Sequence, residues 1–207
     1  MKLILVRHGE TNLNRDGRIL GLTDASLNAT GRAQARAVVT PLAAELPFQM
    51  YSSPLVRAVE TAQIVTDTLE VTAAPNSGLQ EADAGDLDGL KASETRERFP
   101  EFTSRWDRDA ATARMPGGES LLQVQQRAWS AVTRLADAHP DETTVAVTHN
   151  FVIRAIVCKA LGIELRNFRR LRNDLGSITR LDLTQSHGVL LSMNDTSHLR
   201  NVGTQRE

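Results

Sequence analysis

The stretch Leu3-Ile4-Leu5-Val6-Arg7-His8-Gly9-Glu10-Thr11 decides the reading of this chain. Its apolar run describes a strand buried on both faces, and the string after it delivers a histidine at that strand's carboxyl end. An imidazole placed there, with a guanidinium beside it, is suited to attack phosphorus. Histidine is nucleophilic near neutral pH, and the planar fork of Arg7 matches two phosphate oxygens at once while neutralising charge that would repel a nucleophile. Gly9 keeps the approach path clear of a side chain. The bland alternative is a satisfied histidine closing an ordinary first strand, and the rest of the chain weighs against it.

Working outward, apolar runs around Met50-Tyr51, at Thr144 to Val147, at Ile178 to Leu183 and at Val189 to Met193 predict further strands. Helical patterns fill most of the gaps. The first helix should follow Ser26-Leu27-Asn28, run through Val39 with Leu42 and Leu46 on its apolar face, and end before Pro47. A second should follow Ser53 as N-cap, with Pro54 in its first position and Arg57 in its first turn. Leu121, Val124, Ala128, Val132 and Leu135 carry a helical spacing up to Ala138, before Pro140-Asp141. The last two strands should form an antiparallel hairpin around His187-Gly188. Strands alternating with helices predict an α/β fold, a mostly parallel mixed sheet flanked by helices on both faces.

Composition narrows the function classes. The 207 residues, 41% of them hydrophobic, can bury a substantial core, and we expect one domain over 1–207. With 24 basic against 25 acidic residues, no global field favours nucleic acid or an anionic membrane, so a small-molecule partner is expected. Cys158 is alone, which rules out an internal disulfide and a CxxC zinc site and suggests a reducing compartment. No apolar stretch approaches membrane-spanning length, and the N-terminal run is too short for a signal peptide, so a cytoplasmic protein is expected. The oligomeric state, monomer or homodimer, is left open.

In doubly covered sheets ligands bind beyond the carboxyl ends of the strands, where helix N-termini present free N–H groups to anions. Three segments supply polar residues at such ends: Arg7-His8 with Asn14 six residues on, Ser52 to Ala62 with Arg57, and Thr148-His149-Asn150. Arg57 could equally be an exposed helix arginine paired with Glu60 or Glu81, and His149 a structural histidine. His139, His187 and His198 read as surface or turn residues.

Together these strings resemble the histidine phosphatase superfamily, the branch of cofactor-dependent phosphoglycerate mutases and related phosphatases. The likeness extends over the Arg-His-Gly-Glu-Thr string, Gly21 to Asp24, Leu27 to Gly31, Ser52 to Ala62, Leu79 to Gly89, Pro116 to Leu121 and Val147 to His149. It implies a phosphoglycerate mutase-like fold with a small helical cap segment, about 80–116, inserted in the domain. It also implies a two-step reaction in which His8 takes the phosphoryl group while Arg7, Arg57 and His149 hold its oxygens and Asn14 adds a neutral donor. Preorganised donors of this kind supply most of the stabilisation of an in-line transfer. Glu81 of Leu79-Gln80-Glu81 takes the general-acid position, with Asp83, Asp86 and Asp88 as alternatives nearby. A carboxyl beside a phosphate dianion has its pKa raised by like charge and desolvation.

Neither cofactor nor metal is expected, because two arginines make a site unwelcoming to a divalent cation. The chain departs from many relatives at Asn150, where they carry glycine against the phosphate, and at Leu20 and Leu87. Asparagine tolerates unusual backbone angles, so Asn150 stays among the expected phosphate-binding residues. The segment from Leu90 to Met115 is short and of mixed charge, without the basic insertion of mutases, so hydrolysis of a small phosphomonoester is expected. The alternatives are a phosphoglycerate mutase or a catalytically silent phospho-ligand-binding relative. The string Asn194 to Leu199 resembles the tail of several family phosphatases.

Overall fold

A computed structural model describes residues 1–183 and 188–202. Strand β1 (Lys2–Arg7) lies inside a six-stranded sheet, with β4 (Thr143–Thr148) parallel on one side and β5 (Ile178–Leu183) antiparallel on the other. Beyond β4 lie β2 (Phe48–Ser52) and β3 (Ala73–Pro75), both parallel, and beyond β5 lies antiparallel β6 (Gly188–Asp195). The order is β3-β2-β4-β1-β5-β6.

Because side chains alternate across a strand, the apolar run of β1 serves two cores. Leu3 and Leu5 enter one with α6 (Leu121–Ala138) and α7 (Asn150–Ala160). Ile4 and Val6 enter the other with α2 (Ala29–Ala43) and α3 (Val56–Leu69). All four are wholly buried, and each contributes about 1.5–3 kcal/mol on leaving water. Helices therefore cover both faces. The intervening helices are α1 (Asn12–Arg15), α4 (Ala92–Arg98) and α5 (Pro100–Arg108). Among the described residues, no helix is long and apolar enough to cross a membrane.

The start of α2 follows the expectation, since Asn28 Oδ1 accepts from Gly31 N at 2.8 Å. Its last turn includes Pro41, and the helix stops at Ala43, short of the expected limit. The start of α3 differs. The helix begins at Val56, and Ser53 is not its N-cap. Asp24 Oδ1, from a distant loop, accepts from Val56 N at 3.2 Å, which leaves Ser53 for another partner. Strand β3 has three residues, Ala-Ala-Pro, and carries no apolar pattern to betray it. The hairpin of β5 and β6 forms as expected, while the turn position of His187 lies outside the described residues.

The loop leaving β1 is wedged against the first turn of α2. A Cβ on Gly31 would stand 2.1 Å from Glu10 O and 2.6 Å from Glu10 N, and one on Gly9 would stand 2.3 Å from Gly31 O. These are backbone atoms, so only glycine fits. Gly31→Ala is expected to cost about 1–3 kcal/mol by overpacking, read as a fall in Tm of roughly 2–4 °C per kcal/mol. An unchanged melting curve would show that the two segments part freely.

Candidate active site

Parallel pairing sets the carboxyl ends of β1, β2 and β4 level, with Arg7 opposite Thr148 and Ser52 opposite Val147. The next residues extend the ladder, as His8 N donates to Thr148 O at 3.0 Å and Ser53 N to Val147 O at 2.9 Å. His8, Ser53 and His149 thereby meet on one edge. The imidazole rings of His8 and His149 lie 5.1 Å apart between centroids.

His8 Nδ1 sits 2.7 Å from Gly9 O. A carbonyl only accepts, so Nδ1 carries the proton and the lone pair resides on Nε2. Arg57 Nε donates to that Nε2 at 3.3 Å. Burial holds the His8 imidazole well below its ordinary pKa, with Arg57 and Arg7 adding to the effect and the Gly9 carbonyl opposing it.

Arg57 is wholly buried. Its Nη2 donates to Gly21 O at 2.7 Å and its Nη1 to Thr23 O at 3.0 Å, so neutral acceptors hold the guanidinium. It makes no pair with Glu60, whose Oε2 lies 3.1 Å from Arg32 Nη1. Arg7 donates through Nη1 to Asn173 O at 2.6 Å, and its Nε is buried without a partner. Burial lowers its pKa to about 10, which still leaves it charged at neutral pH.

His149 Nε2 lies 2.7 Å from Ser53 Oγ, which also accepts from Leu55 N at 3.3 Å. Either group can supply the proton of this contact, and His149 Nδ1 is buried and unpartnered. Burial holds this imidazole too well below its ordinary value, ahead of the effects of Arg57, His8 and Arg7. Ser53 is thus part of the site. Its place in Ser52-Ser53-Pro54 was the available signal, and it pointed equally well to a helix cap.

Glu81 is 5% exposed. Its Oε1 accepts from Ala82 N at 2.9 Å, and its Oε2 from Phe151 N, in the first turn of α7, at 3.3 Å. Burial raises its pKa against the opposing pull of those amides and of Arg57 and Arg7. The neighbouring acids are committed elsewhere. Asp88 accepts from Gly21 N and Thr23 N, each at 2.9 Å, and Asp83 accepts from Gly85 N at 2.9 Å. Neither they nor Asp86 line the cavity beside His8.

That cavity, of about 430 Å³, has Arg7, His8, Asn14, Glu81 and Asn150 among its lining. Asn14 spends its Oδ1 on Thr11 N and Thr11 Oγ, at 3.2 and 3.0 Å. Asn150 opens α7, its Oδ1 buried without a partner. Helices α4 and α5 wall the cavity through Thr95, Arg96, Phe102 and Trp106. Among the described residues, no cluster of three or more His, Cys, Asp or Glu side chains could hold a metal ion.

Bracing residues whose part in the site the sequence did not reveal complete it. Arg127 of α6 reaches Gly78 O, Gln80 O and Glu81 O at 3.1, 2.7 and 2.8 Å and forms a forked pair with Glu119. Glu119 in turn accepts from Asp83 N at 3.0 Å. His198, in the tail, lies with Nε2 2.9 Å from Gly176 O, and Gly176 N donates to His8 O at 3.2 Å.

The sequence profile of the histidine phosphatase superfamily (branch 1) matches residues 3–196, and the chain belongs to that superfamily. Phosphoserine phosphatase 1 of Hydrogenobacter thermophilus is 33% identical over 199 residues, 96% of this chain and 94% of the relative. The metal-independent phosphoserine phosphatase of Arabidopsis thaliana is 35% identical over 207 residues, covering 98% and 84%. Bacillus stearothermophilus YhfR superposes with a TM-score of 0.89 at 29% identity, over 96% of this chain and 98% of its own.

Two buried neutral histidines make stability depend on pH with a definite sign. In the unfolded chain both take up protons near pH 6.5. In the fold their pKa values lie well below that. The unfolded state therefore binds more protons in between, and this contribution to stability is complete above about pH 6.5 and is lost as pH falls further. Urea midpoints of the ligand-free protein are expected to drop from pH 7 to pH 5, and less steeply in His8→Gln. An identical slope in that variant would place the acid sensitivity elsewhere.

Proposed function

We propose that this chain is a metal-independent phosphomonoesterase that hydrolyses a small phosphate ester through a phosphohistidine on His8, with Glu81 as proton donor. The observation that carries this reading is the His8 Nε2 lone pair, fixed by the Nδ1 bond to Gly9 O and set in the cavity that also holds the buried Glu81 carboxyl. Arg57, Arg7 and His149 hold the three phosphoryl oxygens.

In the first step His8 Nε2 bonds to phosphorus as the ester O–P bond breaks, and Glu81 passes its proton to the departing alkoxide. Water then attacks phosphorus, Glu81 takes its proton, the N–P bond breaks, and phosphate leaves. Burial of Glu81 suits both halves, because a carboxyl with a raised pKa keeps its proton to higher pH than a free one and retakes it more readily. A bound dianion raises that pKa further. Two relatives named as phosphoserine phosphatases, one of them metal-independent, support hydrolysis. The cap, two helices of 7 and 9 residues, supports it too over retention of a bisphosphate as in a mutase.

With chelator present, His8→Ala should reduce phosphate release from p-nitrophenyl phosphate and from alkyl esters to background while circular dichroism stays unchanged. Release persisting in the pure variant would remove His8 as nucleophile, and isomerisation of 3-phosphoglycerate without release would make the protein a mutase. Glu81→Gln should slow alkyl esters by about 10²–10⁴-fold and p-nitrophenyl phosphate, whose leaving group needs no proton, far less. It should also remove the decline of alkyl turnover at high pH. Equal losses for both ester types would dismiss Glu81 as the acid.

A further inference from the structure

We propose that the alcohol half of the substrate carries a carboxylate, received at the cavity mouth by Arg96 and Arg169. This rests on the phosphatase reading above and names the substrate class of that same site. Arg7 and Arg57 already answer the two charges of the phosphoryl group. The cavity extends well beyond that group and is lined on the way out by Ile19, Leu20, Leu87, Phe102, Trp106 and Phe151. The two threonine hydroxyls of the cap wall have no proton left to give, since Thr95 Oγ donates to Lys91 O and Thr103 Oγ to Phe99 O, each at 3.1 Å. A polyol would set several hydroxyls against the apolar stretch of this wall, and a compact body with one charged end suits it better.

At the mouth stand three further cations, Arg18, Arg96 and Arg169. Arg18 is occupied, donating to Gly89 O at 2.7 Å and lying 3.6 Å from Glu94. Arg169 is laid over the rings of Trp106 and Phe168, at 5.6 and 5.5 Å, with Asp107 at 3.7 Å. Stacking of this kind fixes the plane of a guanidinium, whose Nη2 also donates to Trp106 O at 3.4 Å, and its Nη1 is turned to an arriving anion. Arg96, one of the exposed residues of α4, has no ion pair among those in the described residues. Three arginines against Glu94 and Asp107 leave one unbalanced positive charge, which matches a monoanion better than a second phosphate. A carboxylate is the monoanion whose two oxygens fit the guanidinium fork.

The test compares kcat/KM of the full chain on pairs that differ in the carboxylate, 3-phosphoglycerate against glycerol 3-phosphate and O-phosphoserine against O-phosphoethanolamine. The acidic member of each pair should lead by about tenfold or more, mainly through KM, with the lead shrinking as salt rises. Arg96→Ala and Arg169→Ala should each cut that ratio by about 5- to 10-fold, and together bring it close to one. Arg169→Lys should recover only part, because an ammonium keeps the charge without the fork or the stack. Melting curves would confirm that the variants fold. A ratio near one in the unaltered protein, or one that the double variant leaves intact, overturns the proposal. If His8-dependent release from p-nitrophenyl phosphate persists alongside that result, the phosphatase reading stands without it. Silence on every ester sinks both.

Discussion

The contact between Arg57 and His8 is the constraint around which the rest is built. A guanidinium taken wholly out of water carries a penalty of several kcal/mol, and Arg57 has no carboxylate in direct contact to offset it. Two carbonyls, Gly21 O and Thr23 O, meet its outer nitrogens, and Asp88 holds both ends of that loop by their amides. Asp24 from the same loop caps α3, the helix that carries Arg57. The loop and the helix thus hold one another, and a cation is fixed in a partly dry pocket with Nε against the lone pair of His8. Had a carboxylate been placed there, the charge would be neutralised and of little use to an arriving anion.

The same logic explains why the site is braced from a distance. Glu81 would move freely on an irregular segment, but Arg127 draws three carbonyls of that segment, those of Gly78, Gln80 and Glu81, toward α6. Thr61, one turn beyond Arg57, donates to Arg57 O at 2.8 Å and accepts from Gly9 N at 3.2 Å, so the loop that follows His8 is tied to the helix of Arg57. On the far side, Asn194 and Asp174 exchange hydrogen bonds, joining the tail to the loop whose Asn173 carbonyl holds Arg7. Each tie acts on backbone, which fixes the direction of a functional side chain without competing for its polar atoms.

What could be read from the sequence follows from how local its cause is. The two-faced burial of Leu3 to Val6, the Asn28 cap and the stripe of α6 are set within a few residues, and pattern reveals them. Membership of a phosphatase superfamily was also legible, because its strings are short and each stays close to one strand end. Strand β3 was not, since Ala-Ala-Pro is strand only because β2 lies beside it. Ser53 misled for a related reason. Serine before proline satisfies a helix start locally, yet an aspartate 32 residues away took that task and left the hydroxyl to His149. Arg127, Glu119 and His198 act across long sequence separations, where spacing carries no message.

Asn150 shows how a departure from the family pattern can be absorbed. It begins α7 in ordinary helical backbone, and neither it nor His149 is among the residues with positive φ, so nothing at this position calls for the freedom of glycine. What the side chain changes is the lining, since Asn150, whose Oδ1 is buried without a partner, shares the cavity with Arg7, whose Nε is likewise unpartnered. Each such atom costs about 1–3 kcal/mol while unmatched. Native structures keep few of them, so two in the wall of one cavity mark a place where the fold gives up stability that a bound group with matching polar atoms would return.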